Sequence, residues 1–590
     1  MAKFCGNCGK PLGKNDKVCG NCGTPVVTNE VNPTVDQDRS TNSKGVKKKV
    51  AVIGTVSLLL VVLIVVVIKA IPGASSRPNT IPVNNTPSSS TIQKAVSSPS
   101  TPEAETTPIP VAEKESIEER AKKAIKDLEV WDGSIAESFD GGDGTMENPY
   151  QIANGAQLAK LAQDTNLGID FAGDFFVLTS DIILNDIRKW NFNISAQENV
   201  VKNEVTFSEN DNLWDPIGWL EYSADSNLNV EKKSETPFSG SFNGDGHTIW
   251  GLCSRNISGL FGYVKGIVSN TNVACGSIMC FSGDVGTIAG WIKDTNISLC
   301  RTDQIYIHMD GSQGWIGGIC GVAEGDCAIY DCSSNAVYID SQNSYRSDVG
   351  GICGSSVNGL GQLNVSNCYS KCEIKICGAV CDDLTYNRVG GICGVGKNIN
   401  NCISDTNITF SKVESDSGIL NNNVAGGIAG ACNGNIVNCG SYGNIIGICH
   451  TDNEISFGGI AANVCRNSSD TSDITISNCY VGGTIEVEDE EKSENVEMSG
   501  LVCNIFTDGN DKVEASVTDC YFVPSGSDQA IGSSSKEISL FTNQVVSVSS
   551  ESDLKKSDTY QSWDFENLWV IDSKINDGLP IPRSLLELLG

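Results

Sequence analysis

The sequence predicts a mainly β protein made of stacked copies of one short repeat, and two observations lead to this fold class. A glycine-rich element recurs between residues 259 and 503, and the chain has 61 glycines but only 7% aromatic residues. Such a composition suits a turn-rich β protein better than a helical one. The length of 590 residues also exceeds the roughly 250–300 at which a single core stops growing, so several structural units are expected.

The repeat consists of two elements in a fixed order. The copies of the first are GLFG (259–262), GTIAG (286–290), GGICG (317–321, 350–354 and 390–394), GGIAG (426–430), GGIAA (458–462) and SGLVC (499–503). The second is a cysteine that usually follows Asn or Asp, at Cys300, Cys332, Cys368, Cys402, Cys439, Cys479 and Cys520. We interpret each glycine element as one short strand with its Ile, Val, Ala or Cys facing inward, stacked at the ~4.8 Å strand spacing.

Two columns of like residues are expected from this stacking. Asn residues at one turn position can form an amide ladder from coil to coil, at Asn367, Asn401, Asn438 and Asn478. Cys320, Cys353 and Cys393 occupy a position where other copies have Ala289, Ala429 and Ala461, so cysteine acts there as a small buried hydrophobe. We therefore expect free thiols in the repeats, with Cys372, Cys377 and Cys381 the better candidates for any disulfide.

An apolar segment separates the repeats from the N-terminus. Residues 50–68 carry no charge and are long enough to cross a bilayer as a single transmembrane helix. Lys44, Lys47, Lys48 and Lys49 precede this segment, in a basic linker at 28–49 that the positive-inside rule places in the cytoplasm. The C-terminal part is then extracellular.

Three further regions follow the predicted membrane helix. Residues 69–110 are rich in Pro, Ser and Thr and predict a disordered stalk, because they cannot bury a core. Residues 111–128 have apolar positions at helical spacing and predict an amphipathic helix. The repeat domain spans 131–590.

The first 27 residues predict a structural zinc site. Cys5, Cys8, Cys19 and Cys22 form two Cys-x-x-Cys-Gly knuckles, which supply the four thiolates of a closed tetrahedral zinc site. A dithiol redox pair and a remnant that binds no metal are the alternatives. The twin CGNCG copies resemble the compact zinc ribbons at the N-termini of many Gram-positive membrane proteins.

The repeat domain is similar to the GLUG-motif repeats of bacterial surface adhesins. The resemblance rests on the Gly-[Leu/Ile]-x-Gly copies at 259–503, on FSGSFNGDGHTIWGL (238–252) before them, and on the flanks at 139–162 and 569–585. It implies a right-handed parallel β-helix-like solenoid on a bacterial cell surface. The family shares no active site, so it implies no catalytic residue.

These features predict a surface protein that binds ligands and is not an enzyme. The net charge of −31 opposes a nucleic-acid role for the repeat domain, and none of the three His residues belongs to a His-Glu-x-x-His motif. We expect the protein to adhere to a glycan or protein. Substitutions that alter this function should fall in long loops between repeats, such as 371–387 and the acidic 485–497. A polysaccharide-active β-helix enzyme and an envelope sensor or scaffold with a cytoplasmic partner for the ribbon are the alternatives, and calcium at acidic turns stays open.

The zinc assignment predicts one zinc per chain in purified protein under reducing conditions, measured by atomic emission. Cys19→Ser should abolish most of this binding, because three thiolates cannot close the tetrahedron without recruiting water. Cys353→Ala, outside the two knuckles, is the matched control and should retain the metal. A stoichiometry near zero in the wild-type chain contradicts the assignment.

Overall fold

The computed structural model describes part of the chain. It covers residues 3–4, 11–12, 115–192, 211–224, 230–255, 258–281, 283–311, 313–344, 346–356, 362–378, 385–411, 421–449, 454–466, 473–489, 496–507, 509 and 512–589. The predicted zinc ligands Cys5, Cys8, Cys19 and Cys22, the apolar segment 50–68 and the stalk at 69–110 lie outside these residues. No helix in the described part of the chain is long and apolar enough to cross a membrane.

The repeats form a solenoid of parallel strands. Each full coil passes through four short sheets, here called A, B, C and D, and every strand in them pairs in parallel with the equivalent strand one coil away. The strands of sheet A are Gly283–Gly286, Gln313–Gly317, Arg346–Gly350, Thr385–Gly390, Asn421–Gly426, Glu454–Gly458 and Val496–Ser499. Those of sheet B are Phe261–Val264, Ala289–Lys293, Cys320–Glu324, Cys353–Ser356, Ala461–Arg466, Val502–Thr507 and Ile531–Ser534.

Sheets C and D complete each coil. Sheet C contains Tyr150–Ile152, Phe175–Leu178, Ser241–Asn243, Ile267–Ser269, Asn296–Ser298, Cys327–Tyr330, Leu363–Ser366 and Ile474–Ser477. Sheet D contains Ile182–Ile183, Thr248–Trp250, Cys253–Arg255, Asn272–Cys280, Arg301–Asp310, Ser333–Ser344, Tyr369–Gly378, Ile403–Ser404, Asn407–Ser411, Gly440–Ser441, Ile445–Cys449, Tyr480–Val481 and Ile485–Asp489. Four longer strands serve two sheets each: Cys393–Asn400 and Ala429–Val437 in B and C, Val513–Phe522 and Ile538–Ser547 in C and D.

The remaining elements lie around or before the coils. Helices α1 (Ile117–Asp127) and α2 (Gly155–Asn166) precede most of the solenoid, and an antiparallel hairpin joins Trp219–Ala224 to Val230–Thr236. Shorter pieces are the helices Glu551–Leu554 and Leu586–Leu589, the 3₁₀ turns Ile187–Lys189, Ser557–Thr559, Asn576–Gly578 and Arg583–Leu585, and the antiparallel pairs Trp569–Val570 with Ile581–Pro582 and Lys3–Phe4 with Pro11–Leu12.

The glycine element is a corner between two strands, which corrects the prediction that it is a single strand. In one copy sheet A ends at Gly350, residues 351 and 352 bend, and sheet B begins at Cys353. A Cβ at Gly351 would lie 2.3 Å from the carbonyl oxygen of Gly391 in the next coil, closer than any side chain tolerates. The buried Ile352 donates its backbone N–H to Ile392 at 2.9 Å, so the corner itself belongs to the hydrogen-bonded stack.

The asparagine column marks the corner between sheets C and D. Asn367, Asn401, Asn438 and Asn478 have φ values between 52° and 55°, in the left-handed region that Asn tolerates better than most residues. Their side chains form the predicted ladder. Nδ2 of Asn401, Asn438 and Asn478 donates to Oδ1 of the asparagine one coil earlier, at 3.2, 2.9 and 3.0 Å respectively. The preference for Asn is therefore explained by backbone conformation and amide pairing together.

The cysteines of the repeats are small core residues. Ala289, Cys320, Cys353, Cys393, Ala429 and Ala461 follow one another in register and are fully buried, which confirms their predicted equivalence. All cysteines whose side chains the structure describes are free thiols, Cys372 and Cys377 among them, and Cys381 lies outside the described residues.

A second column of thiols follows the asparagine corner. Cys300, Cys332, Cys368, Cys402, Cys439, Cys479 and Cys520 each donate to the carbonyl oxygen two residues earlier, at 3.1–3.3 Å. Burial raises the pKa of Cys300, Cys368, Cys439 and Cys520 well above the ordinary thiol value. These four thiols therefore stay protonated and unreactive.

The segments expected to be variable loops are largely strands. Residues 371–378 and 385–387 belong to sheets D and A, as do 485–489 and 496–497, which leaves only 379–384 and 490–495 outside the described residues. Each segment is a passage from sheet D of one coil to sheet A of the next. The prediction of long loops there was wrong because the coil has more sides than the two repeated elements revealed.

The glycine corner predicts unequal costs for two neighbouring substitutions. Cys353→Ala should lower the free energy of unfolding by about 1–2 kcal/mol, since it removes one buried sulfur. Gly351→Val should cost about 3 kcal/mol or more, because a branched side chain would be forced against the Gly391 carbonyl. Urea denaturation followed by far-UV circular dichroism measures both, and an equal or smaller cost for Gly351→Val contradicts the close approach.

Candidate functional site

A cavity of about 270 Å³ lies where three separate parts of the chain meet. Helix α1 contributes Arg120, the beginning of sheet D contributes Arg301 and Asp303, and the C-terminal segment contributes Leu588 and Leu589. The cavity combines charged groups of both signs with an apolar rim. Most pockets that bind small molecules are built in this way, with a few placed polar groups among apolar ones.

Helix α1 is fixed both by its own sequence and by packing. Ser116 caps it, accepting from the backbone N–H of Glu119 at 3.2 Å, while the Glu119 carboxylate accepts from the N–H of Ser116 at 3.1 Å. Ala121 and Ala124 are buried in a cluster that contains Trp250 of sheet D. The small alanines permit close contact, and Ile117 and Arg120, in the turn before them, line the cavity.

Arg120 is the residue by which α1 reaches sheet D. Its guanidinium donates to the hydroxyl of Thr248 and lies 5.8 Å from the ring centre of Trp250. A cation over an indole ring is attracted by the ring quadrupole. Arg120 is therefore held in place before any ligand is present.

Asp303 provides the acidic side of the cavity. It lies in strand Arg301–Asp310, in register with Ala274 in the preceding coil and Asn335 in the following one. Asn335 Nδ2 donates to Asp303 Oδ2 at 2.9 Å. The other oxygen, Oδ1, is buried and accepts no hydrogen bond from a protein group. An unsatisfied buried carboxylate oxygen is costly, so this atom requires an explanation.

Burial and nearby charges set the protonation of Asp303. Burial raises the pKa of this carboxyl to about 6, against the lowering effects of the Asn335 hydrogen bond and the Arg120 charge. The carboxylate form is thus less favoured than in an exposed aspartate. A ligand that donates a hydrogen bond to this carboxyl group would favour the carboxylate and bring the pKa down.

Arg301 joins the cavity to the C-terminal segment. Its guanidinium donates to the backbone carbonyl oxygens of Leu588 and Glu587, at 3.2 and 3.3 Å. The segment is held further along the solenoid by an aromatic cluster, in which Tyr480 donates to the Pro580 carbonyl at 2.9 Å and Trp563 stacks on Trp569. The C-terminal segment therefore closes one side of the cavity.

A larger cavity of about 350 Å³ lies beside α2, lined by Trp131 and Trp214. Several of its polar groups already form hydrogen bonds within the protein. Trp131 Nε1 donates to the Ser134 carbonyl at 2.7 Å and Trp214 Nε1 to the Leu260 carbonyl at 3.0 Å. Asn166, also in its lining, donates to Pro216 and accepts from Gly218. The Asp303 cavity is the stronger candidate because it holds an acceptor without a donor.

The Gly-Asp turns at 140–144 and 243–246, where the sequence left calcium open, are explained by local geometry. Asp143 accepts from the N–H and hydroxyl of Thr145, at 3.1 and 2.7 Å, and Asn243 accepts from the N–H of Asp245 at 2.9 Å. Within the described residues no group of His, Cys, Asp or Glu is arranged to hold a metal ion.

Sequence reasoning missed every charged residue of the cavity. Arg120 and Asp303 are far apart in the chain. Residues 301–303 are Arg-Thr-Asp, whereas the equivalent residues are Asn-Val-Ala in the preceding coil and Ser-Ser-Asn in the following one. A charged pair directly after a repeated cysteine was the one available signal. The partners of that pair came from outside the repeats.

Comparison with known proteins adds little. No family model and no curated protein matches the chain. Among solved structures, the chain is similar to a candidate immunoglobulin A1 protease from Bacteroides ovatus, with 18% identity and a TM-score of 0.36 over 76% of this chain and 95% of that one. A TM-score of this size supports no conclusion about fold or function.

The raised pKa of Asp303 predicts how stability depends on pH. The unfolded chain releases this proton near pH 4 and the folded chain near pH 6. The free energy of unfolding of the wild-type protein therefore falls by about 3 kcal/mol as the pH rises from 4 to 6, and this group causes no further change above pH 6. Asp303→Asn should remove this loss, and the exposed Asp326→Asn should not. Urea denaturation between pH 4 and 7 measures the difference. Parallel profiles for wild type and Asp303→Asn contradict the assignment.

Proposed function

We propose that this chain is a membrane-anchored bacterial surface protein whose solenoid binds a glycan through the Asp303 cavity. The anchoring rests on the uncharged segment 50–68 and the lysines before it, and the surface role rests on the resemblance to GLUG-motif repeats. The parallel coils support a solenoid of the expected kind. A right-handed path is the expected hand, since parallel crossovers are right-handed in about 98% of cases.

The observation that carries the proposal is the unpartnered Oδ1 of Asp303 in a cavity that also contains two arginines. Asp303 accepts hydrogen bonds, whereas Arg120 and Arg301 only donate them. A ligand for this cavity must therefore present donors and acceptors close together. Sugar hydroxyl groups do both, and a monosaccharide unit is compact enough for a cavity of about 270 Å³.

The charge balance also favours a neutral ligand. Arg120 and Arg301 are offset by Asp303 and by the exposed Glu115 at the rim. A strongly anionic or cationic ligand would find no matching excess of charge. A protein ligand, the other partner predicted from the sequence, would have to insert a polar side chain into the cavity.

A polysaccharide-active enzyme is the second candidate, favoured by one observation. The pKa of Asp303, about 6, suits a general acid in glycoside cleavage, and Glu115 is a second carboxyl group in the same lining. This reading requires the two carboxyl groups to act on one bound glycan. Glu115→Gln would then abolish cleavage of the glycan but leave glycan binding intact.

The test is binding of the full chain, purified in detergent, to a glycan array and to soluble peptidoglycan fragments. Wild type should retain a defined set of glycans, and Asp303→Ala should weaken their binding at least about tenfold, since the hydroxyl donor loses its acceptor. Asp326→Asn is the matched control and should bind as wild type does.

Two results would contradict the proposal. One is a wild-type chain that retains no glycan above background, and the other is equal retention by wild type and Asp303→Ala. The melting temperature of each variant, measured alongside, separates loss of the cavity from loss of the fold.

A further inference from the structure

The two ends of the solenoid differ in how their strand edges are covered. At the N-terminal end, Gly141 pairs with Gln151 of the first strand of sheet C, Val130 pairs with Ile183 of sheet D, and Ile217 pairs with Phe261 of sheet B. Helix α2 adds Leu158 and Leu161, both fully buried, to the core at this end. No first strand of these three sheets is left open.

The C-terminal end is open by comparison. The last coil consists of Ile531–Ser534, which pairs only with Val502–Thr507, and of Ile538–Ser547, which pairs only with Val513–Phe522. Among the described residues, no strand or bridge pairs with the outer edge of either. Unpaired edges of this kind are templates for another strand, and proteins usually protect them with charges, proline or a bulge.

The terminal strand Ile538–Ser547 has no charge and no proline. Its sequence is ISLFTNQVVS over ten residues, and Phe541 is 62% exposed. Its inward residues Ile538, Leu540 and Val545 pack on the core but are only partly buried, unlike their counterparts in the inner coils. The end of the stack thus exposes both backbone hydrogen-bonding groups and an apolar cross-section of the core.

We propose that this end binds a second copy of the same chain, tail to tail, as a two-fold symmetric dimer. The terminal strand turns the corner between sheets C and D at Gln544, whose φ is 50°, so the part that can pair with itself is its sheet C part, residues 538–543. Two-fold symmetry about an axis normal to this part pairs identical strands antiparallel and keeps both inner faces on the same side. Each copy then covers the apolar cross-section of the other. A lone peptide strand could satisfy one edge but would leave most of that cross-section in water.

Charge and topology both limit the occupant to this arrangement. The chain carries a net charge of −31, so two copies repel over most of their surface and approach most easily at an uncharged end. A head-to-tail filament would need an open N-terminal end, and the bridges of Gly141, Val130 and Ile217 occupy it in sheets C, D and B. The assembly therefore stops at two copies.

The test measures the mass of the full chain in detergent by light scattering after size exclusion. Wild type should elute at micromolar concentration with twice the chain mass of 62.6 kDa. Phe541→Lys and Phe541→Asp should each raise the dimer dissociation constant at least about tenfold, because Phe541 is 62% exposed near the middle of residues 538–543 and like charges would face each other across the axis. An equimolar mixture of the two variants should restore the dimer, which a folding defect could not do.

The matched control is Phe281→Lys, the same change at an exposed phenylalanine outside the terminal strand, and it should remain dimeric. A wild-type chain that stays monomeric, or a mass that grows without limit on concentration, overturns the proposal. So does a dimer that survives both Phe541 variants, since another surface would then hold it together. A monomer whose open edge captures a peptide would show that the occupant is a foreign strand.

Discussion

The fold depends on one constraint, the parallel hydrogen bonding of each coil to the next. Ile319, Ile352, Ile392, Ile428 and Ile460 each donate their N–H to the equivalent residue of the following coil at 2.8–3.0 Å. Backbones held this closely leave room at the corners for little more than a hydrogen atom, which is why glycine recurs there. The constraint acts at every coil in the same way, and it accounts for the repetition in the sequence.

The same constraint explains the cysteines. The first residue of each sheet B strand from Ala289 to Ala461 lies directly above and below its own counterparts. Only alanine and cysteine occupy this column, because both are small enough to stack on themselves there. The thiols of the second column donate to nearby carbonyl oxygens, which lets a polarizable group be buried without an unsatisfied donor.

Departures from the repeat are where chemistry becomes possible. Asp303 places a carboxyl group between Ala274 and Asn335 of the neighbouring coils, in the cavity that α1 and the C-terminal segment also line. Its unpartnered oxygen is a local cost that the stack does not require. The terminal strand Ile538–Ser547 differs in another way. It has the inward residues of the other coils, but no following coil forms hydrogen bonds with its outer edge.

The sequence by itself determined the solenoid and its columns. Recurrence of Gly-Gly-Ile and Asn-Cys fixed the register, because like residues must lie over like residues, and it also predicted the amide ladder at Asn367 and Asn401. It misplaced the glycine element, since two elements per repeat cannot show that a coil has four sides. Only the tertiary structure decided the cavity, because Arg120, Asp303 and Leu588 are brought together by packing across the coils and by no local pattern. The difference between the two ends was likewise invisible in the sequence. The N-terminal edges are covered by Val130 and Ile217, which lie outside the repeats, and no repeat pattern shows that the C-terminal edge lacks such a cover.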